Sequence, residues 1–361
     1  MLIFQFSFGD GYAGSSKVAL VSSRLLINAG HIVHLFVSEN SLTEKRARED
    51  KLIVHSIDSN QKFSETFKKI LPIFESERPD IVISHHSLDR KIGIELKRKF
   101  KNSFINIGYR HNISKTVPII GPFIYNRYYD YLIACSQGVA DSLTSSGIKQ
   151  SKVKVIRNSI TLPENFSAIS GEKIRESLNL KDKIVLGMST WFHKERKGFD
   201  ILFEAIKELD DKFILLLIGI PESDKNKVID FASSFYIPKE KLIMPGYVEN
   251  VWEYYNAMDI FLLTSRSEGF SLALLEAGAA RLPIIASNIP GTNEFISDKR
   301  NGLLFDINKP DQLKDAIVKL SEDKFLAGEY AARAYNDVME NYLLKNYSES
   351  LLNFLDAVTA K

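Results

Sequence analysis

DIFLLTSRSEGFSLALLEAGAARLPIIAS (residues 259–287) decides the fold. Residues 259–265 are largely apolar, the pattern of a short strand buried on both faces. Ser267, Glu268, Gly269 and Phe270 make a loop, and Ser271 is placed to cap a helix running from Leu272 to Ala280. Pro283 then leads a second apolar run, residues 283–287. Strand, loop, helix and strand in this order form a βαβ unit, the connection that parallel strands require.

The helix of this unit carries an oddity. Glu276 sits among Leu272, Ala273, Leu274, Leu275, Ala277 and Gly278, so the helix around it is largely buried. A buried carboxylate without partners is costly, so something must donate to it. Two hydroxyls of a ligand would do so, and a local Lys or Arg is the alternative. Glu268 stands ahead of the first turn, where the helix dipole favours a negative charge.

The same alternation extends in both directions. LIFQFSF, HIVHLFVS, DIVISH, FINIGY, YLIACS and KVKVIRN are strand candidates in the first part of the chain. KIVLGMS, FILLLIG, KLIMPGY, DIFLLTS, PIIAS and GLLFD follow in the second. Helical patterns separate them, as in SSKVALVSSRLLINAG, which Gly30 stops. SITLPENFSAISGEK (residues 159–173) is polar, holds Pro163 and Gly171, and reads as a linker. The expectation is an α/β protein of two doubly wound, Rossmann-like parallel-sheet domains facing across a cleft, with the boundary near residue 160. Ligands in such sheets bind outside the carboxyl ends of the strands.

Composition agrees with this class. The chain has 361 residues, of which 45% are hydrophobic and 25% charged, enough for two cores. Its single cysteine, Cys135, excludes an intrachain disulfide and suits a reducing compartment. No signal peptide and no run long enough to span a membrane is visible, so a cytoplasmic location is expected. The net charge of +2 hides an asymmetry. Residues 1–160 hold 23 Lys and Arg against 14 Asp and Glu, while the remainder holds 24 against 31. The basic half suits an anionic partner; RKIGIELKRKF (residues 90–100) reads either as a helix that packs its apolar side and leaves its charges in water, or as a basic amphipathic contact to the inner face of a membrane. No nucleic-acid-binding motif is present.

Four further loops follow strands. FGDGYAGSSKVAL places Gly9, Gly11 and Gly14 as G-x-G-x-x-G between a strand and a helix, whose N-terminal amides suit an anion. INIGYRHNIS puts Arg110 and His111 at a strand's end, where His111 could donate a hydrogen bond to a sugar hydroxyl. His85 and His86 end another strand in the same way. MSTWFHKERKGFDIL carries Lys194, Arg196 and Lys197 ahead of Gly198 and a helix, a set of cations suited to a diphosphate. NIPGTNEFI sets Gly291 and Glu294 in a turn.

These residues together resemble a known family. SRSEGFSLALLEAGAARLPIIASNIPGTNEFI is similar to the signature of the retaining nucleotide-sugar glycosyltransferases of family 4, which have the GT-B fold. That signature is two glutamates separated by seven residues, matched by Glu268 and Glu276, then a small-residue helix, a Pro-led strand and a Pro-Gly turn. The resemblance implies an acceptor domain over residues 1–160, a donor domain over 161–341, and a closing helix at about 342–361 that returns to the first. It implies that Glu276 binds the ribose of a nucleoside-diphosphate sugar and Glu268 the transferred sugar. The amides of Gly269, Phe270 and Ser271 would face sugar and diphosphate, Lys197 would pair with the diphosphate, and Gly14 and His111 would reach the donor from the first domain. The acceptor would be a hydroxyl of a glycan or a lipid-linked sugar.

The sequence departs from the family at two places. The family's Arg, five or six residues before the Lys, is replaced by Trp191 or Phe192, leaving Arg196 or Lys194 to stand in. The junction reads Asn158-Ser159-Ile160-Thr161 instead of Asn-Gly-Ile-Asp. No D-x-D occurs, so no metal and no cofactor is expected. Other GT-B chemistry (an epimerase or a phosphorylase) and a non-catalytic partner subunit are the alternatives. A dinucleotide oxidoreductase would use the glycines of the first loop but leaves Glu268 and Glu276 unexplained.

Overall fold

In a computed structural model the described residues are 1–9, 14–113 and 119–360. The chain divides into two compact units, Met1–Asn158 with Tyr347–Lys361, and Ser159–Asn346.

The first unit holds strands β1 (Leu2–Ser7), β2 (Ile32–Ser38), β3 (Ile53–Ile57), β4 (Ile81–Ser84), β5 (Ile105–Arg110), β6 (Tyr131–Ala134) and β7 (Val153–Val155). They form one sheet in the order β3-β2-β1-β4-β5-β6-β7, and its adjacent strands pair in parallel. The second unit holds β8 (Ile184–Ser189), β9 (Phe213–Ile218), β10 (Leu242–Gly246), β11 (Ile260–Leu263), β12 (Ile284–Ser287) and β13 (Leu303–Phe305). Their order is β10-β9-β8-β11-β12-β13, again parallel. Each sheet reverses its winding once, between β1 and β4 in the first and between β8 and β11 in the second. These reversals open the crevices where α/β sheets take ligands.

Burial explains the strand patterns. All six residues of β9, FILLLI, are buried, as expected of a central strand covered by helices on both faces. By contrast, β3 is an edge strand with only Ile57 buried, and its sequence, IVHSI, gives a weak strand signal; it is the one strand missing from the sequence reading. The helix Leu272–Ala279 is built from small residues because neighbours come close. A Cβ at Gly278 would lie 2.9 Å from Val338 Cγ2 and 3.0 Å from the Phe295 ring.

The linker expected at residues 159–173 is packed, and the stretch 90–100 packs its apolar side on the core. Residues 159–173, polar enough to read as a linker, pack onto the second unit. Phe166 meets Trp252 edge to face at 4.9 Å, Asn256 donates to the Ile169 carbonyl, and a Cβ on Gly171 would strike the Ala257 amide at 2.3 Å. The basic stretch 90–100 belongs to the helix Ser87–Phe100, whose Ile92 and Leu96 are fully buried in the first unit's core. Lys97 is buried too, bonded to Asp130 and to the Phe104 carbonyl, both at 2.6 Å. Ile92, Leu96 and Lys97 are therefore taken by the core, while Lys91, Arg98 and Lys99 of the same stretch stay exposed. Among the described residues no helix is long and apolar enough to cross a membrane.

The final helix, Leu344–Thr359, buries Tyr347, Leu351, Phe354, Leu355 and Val358. Phe354 meets Tyr131 of β6 edge to face at 5.6 Å.

Candidate active site

A nearly buried ion pair of the second unit stands at the carboxyl ends of β8 and β11, beside the winding reversal. The loop after β8 carries Lys197, and the loop after β11 carries Glu268. Lys197 Nζ lies 2.6 Å from Glu268 Oε1, and both side chains are nearly buried. Ser265 Oγ donates to the same oxygen at 2.7 Å. Glu268 is thus held by a cation and a hydroxyl, with its chain position fixed on both sides.

That fixing comes from backbone contact between the two loops. Thr264 Oγ1 donates to the Lys197 carbonyl at 2.9 Å, and the Arg266 amide donates to the Arg196 carbonyl at 2.9 Å. Arg266 also grips Asp200 through two nitrogens, at 2.7 and 2.6 Å. Desolvation opposes ionisation of Asp200, but the guanidinium overrides it and holds the carboxyl below its ordinary range. Gly198 has φ +64°, and a Cβ there would sit 2.0 Å from the Thr264 carbonyl oxygen. Gly291, at φ +86°, approaches from the other side, where a Cβ would meet the Gly269 oxygen at 2.2 Å. Only glycine permits these two approaches.

Ser271 caps the helix Leu272–Ala279 by accepting from the Leu274 amide. Glu276 lies about one turn in and is 9% exposed. One of its partners is Tyr255, whose hydroxyl donates to Oε2 at 2.8 Å. Burial, followed by the neighbouring Glu276 charge, pushes the Tyr255 phenol well above its ordinary range, so it remains a donor at neutral pH. Tyr255 is a residue that the sequence reading missed. The available signal was its place on the short helix Val251–Asn256, immediately before β11, but no spacing rule connects it to Glu276.

The remaining sequence candidates lie as follows. Gly269 and Phe270 are buried, and Phe270 stacks obliquely on Tyr342 at 5.4 Å. The Arg196 guanidinium lies 5.9 Å from the exposed Trp191 ring, and Lys194 lies 4.4 Å from the Phe231 ring.

In the first unit, Gly14 is the exposed first residue of the helix Gly14–Asn28, while Gly11 falls outside the described residues. His111 follows β5 and bonds through Nε2 to His85 Nδ1 at 2.9 Å. Its ring stacks on Tyr109 at 4.4 Å. Burial, then the neighbouring His85, His86 and the arginines, hold His111 well below the ordinary imidazole range. His85 in turn reaches Gln5 Oε1 at 2.8 Å, so His85 and His111, from the ends of two strands, form one bonded group with Gln5. His86 has a different task, with its ring 3.3 Å from Ser7 Oγ and its amide donating to Asp89 at 2.7 Å.

Comparison with known proteins bears on both units. The family model described as Glycosyltransferase Family 4 matches residues 12–163, and that described as Glycosyl transferases group 1 matches residues 170–337. The chain belongs to the family 4 glycosyltransferases. Its fold is of the GT-B class. This family 4 chain is similar to HepE of Anabaena, solved in complex with UDP-glucose, with a TM-score of 0.87 over 99% of this chain and 100% of that one at 17% identity. By sequence it is 30% identical over 230 residues to an uncharacterized protein in the cps region of Klebsiella pneumoniae, a match covering 61% of this chain and 59% of that protein. It is 29% identical over 181 residues to the UDP-Gal:alpha-D-GlcNAc-diphosphoundecaprenol alpha-1,3-galactosyltransferase of Escherichia coli, covering 48% of this chain and 46% of that enzyme. The matches thus span about half to three-fifths of the length of those curated relatives.

Proposed function

We propose that this family 4 chain is a retaining glycosyltransferase that moves a sugar from a nucleoside-diphosphate sugar to a hydroxyl of a glycan or lipid-linked acceptor, in polysaccharide or glycoconjugate synthesis. The observation that carries this reading is the Lys197–Glu268 ion pair, 2.6 Å long and nearly buried, beside the winding reversal of the second sheet. A cation and a carboxylate held there suit a ligand with an anionic part next to a hydroxylated part. Glu276, steadied by Tyr255, suits a ribose diol.

In this reading the departing group is a nucleoside diphosphate, and negative charge grows on its oxygens as the glycosyl bond breaks. Lys197, with Arg196 nearby in sequence and the amides of Gly269, Phe270 and Ser271, stabilises that charge. Glu268 holds a hydroxyl of the transferred sugar. His111 and Gly14 keep the donor contacts that the family resemblance implies. The acceptor hydroxyl attacks the face that the leaving group departs from, and a phosphate oxygen takes its proton. No dedicated base is required, so the carboxylate-pair geometry of glycosidases does not apply.

The similar structure with UDP-glucose and the relative named for UDP-galactose make UDP-sugars the first donors to try. The experiment is a donor screen with UDP-, GDP- and ADP-sugars, followed by NMR assignment of the product anomer. Transfer from one donor with the α configuration kept, and undiminished by a chelator, is expected. An inverted product would end the retaining assignment, and free sugar phosphate formed with phosphate as sole acceptor would point to a phosphorylase.

A further inference from the structure

Gln5, His85 and His111 lie on or at the ends of three neighbouring strands of the first sheet, β1, β4 and β5. The register pairs Gln5 with Ile83, and Ile83 with Ile107. Residues two apart along a strand share a face, so Gln5, His85, Tyr109 and His111 fall on one side of the sheet. The rings stack accordingly, His85 with His111 at 5.2 Å and 12°, and Tyr109 with His111 at 4.4 Å and 6°.

The direction of each hydrogen bond follows from the far end of the chain of contacts. Ser23 Oγ gives its proton to the Ala19 carbonyl at 2.9 Å, so it meets Gln5 with a lone pair. Gln5 Nε2, 3.1 Å from that oxygen, must be the donor there. The amide orientation is then fixed, and Gln5 Oε1 faces Ser22 and His85. An amide oxygen only accepts, so His85 Nε2, 2.8 Å away, carries a proton. Burial keeps His85 neutral, which leaves its Nδ1 as a lone pair. His111 Nε2, 2.9 Å from that Nδ1, must therefore donate. His111 is neutral for the same reason, so its own Nδ1 is also a lone pair. That Nδ1 is buried and has no hydrogen-bond partner among the described residues.

We propose that Gln5 and His85 are positioning residues that lock His111 in its Nε2–H tautomer, so that His111 Nδ1 accepts a hydrogen bond from a ligand hydroxyl. The direction is opposite to the one the sequence suggests, in which His111 donates. An acceptor at this point selects a hydroxyl and disfavours a carbonyl, carboxylate or phosphate oxygen, which would set one lone pair against another. The hydroxyl as ligand rests on the glycosyltransferase reading, whereas the tautomer does not.

Long-range proton–nitrogen NMR on histidine-labelled protein, above the imidazole titration range, reads the tautomer directly, with His111 assigned by the signal lost in His111→Asn. The expected spectrum shows Nε2–H on both His85 and His111. Gln5→Met removes the acceptor at the end of the relay, lets His85 carry its proton on Nδ1, and is expected to move the His111 proton to Nδ1. Gln5→Glu retains an acceptor and should keep the parental tautomer. A parental His111 protonated on Nδ1 overturns the proposal, as does an unchanged tautomer in a folded Gln5→Met variant. If Gln5→Met does not fold, the parental and Gln5→Glu spectra decide alone. A chain with the expected tautomer but without sugar transfer keeps this inference and loses the proposed function, so the two fail separately.

Discussion

The Tyr255 hydroxyl donates to Glu276 Oε2 across 2.8 Å, and both side chains are buried. The bond joins the helix Val251–Asn256 to the helix Leu272–Ala279 and holds the carboxylate in one orientation. Tyr255→Phe removes the hydroxyl and keeps the ring. The expected loss is about 1–2 kcal/mol of stability in a urea titration. Nucleotide affinity should fall as well, because the carboxylate is no longer oriented. A variant of parental stability and affinity would make the bond incidental.

Glu276→Ala is expected to fold and to lose UDP binding by at least about tenfold, roughly 1.4 kcal/mol. Calorimetric titration with UDP, alongside a circular dichroism spectrum, separates the two effects. Parental affinity in the variant would remove Glu276 from the ribose.

The Lys197–Glu268 pair calls for a double-mutant cycle. Removing one partner of a buried pair leaves an uncompensated charge, so Lys197→Met should cost about 3 kcal/mol even with Ser265 still donating to Glu268. Adding Glu268→Gln should restore much of that stability while sugar transfer stays lost. Additive single effects would show that the two groups do not sense each other.

Gly198→Ala and Gly291→Ala test the loop packing. The new Cβ would lie 2.0 Å from the Thr264 oxygen in the first and 2.2 Å from the Gly269 oxygen in the second. Each is expected to cost more than about 2 kcal/mol. Gly30→Ala is the control, since Gly30 also has positive φ, +86°, but nothing lies within 4 Å of its Cβ position. It should cost only the backbone strain, about 1 kcal/mol. Equal losses at all three sites would show that φ, not contact, sets the requirement.

His85 and His111 give stability a pH dependence of fixed sign. Burial depresses both below their ordinary value of 6.5, so the unfolded chain binds more protons than the folded one in acid. Their contribution is therefore complete above about pH 6.5 and is lost as pH falls through the lower folded values. Urea titrations of the parent and of His85→Gln/His111→Gln on either side of that point should show the steeper acid loss in the parent. Parallel curves would mean that the two rings are not held neutral by the fold.

Much of this was legible in the sequence because the strands of buried parallel sheets are compact apolar runs. FILLLIG and DIFLLTS announced β9 and β11 in that way, whereas the half-exposed edge strand IVHSI did not. The oddity of Glu276 was legible too, since a carboxylate in an apolar helix demands a donor. Its donor was not, because Tyr255 reaches it through tertiary packing that no local period encodes. The same limit applied to Lys197, which composition marked as one of several loop cations and which only the fold sets against Glu268. The direction of the His111 hydrogen bond required Gln5, a polar residue in the middle of β1 that looks like an exception to an apolar strand.

The ion pair joins residues 71 positions apart in the chain. The intervening chain includes β9 and β10, and the partners meet because β11 lies directly beside β8 in the sheet. Closing so long a loop costs chain entropy, which the contact must offset. During synthesis, a ribosome that has not yet passed Glu268 carries a chain with Lys197 already made and nothing for it to meet. The pair thus depends on two strands that are neighbours in the sheet but far apart in the chain, and its formation reports that β11 has been laid beside β8.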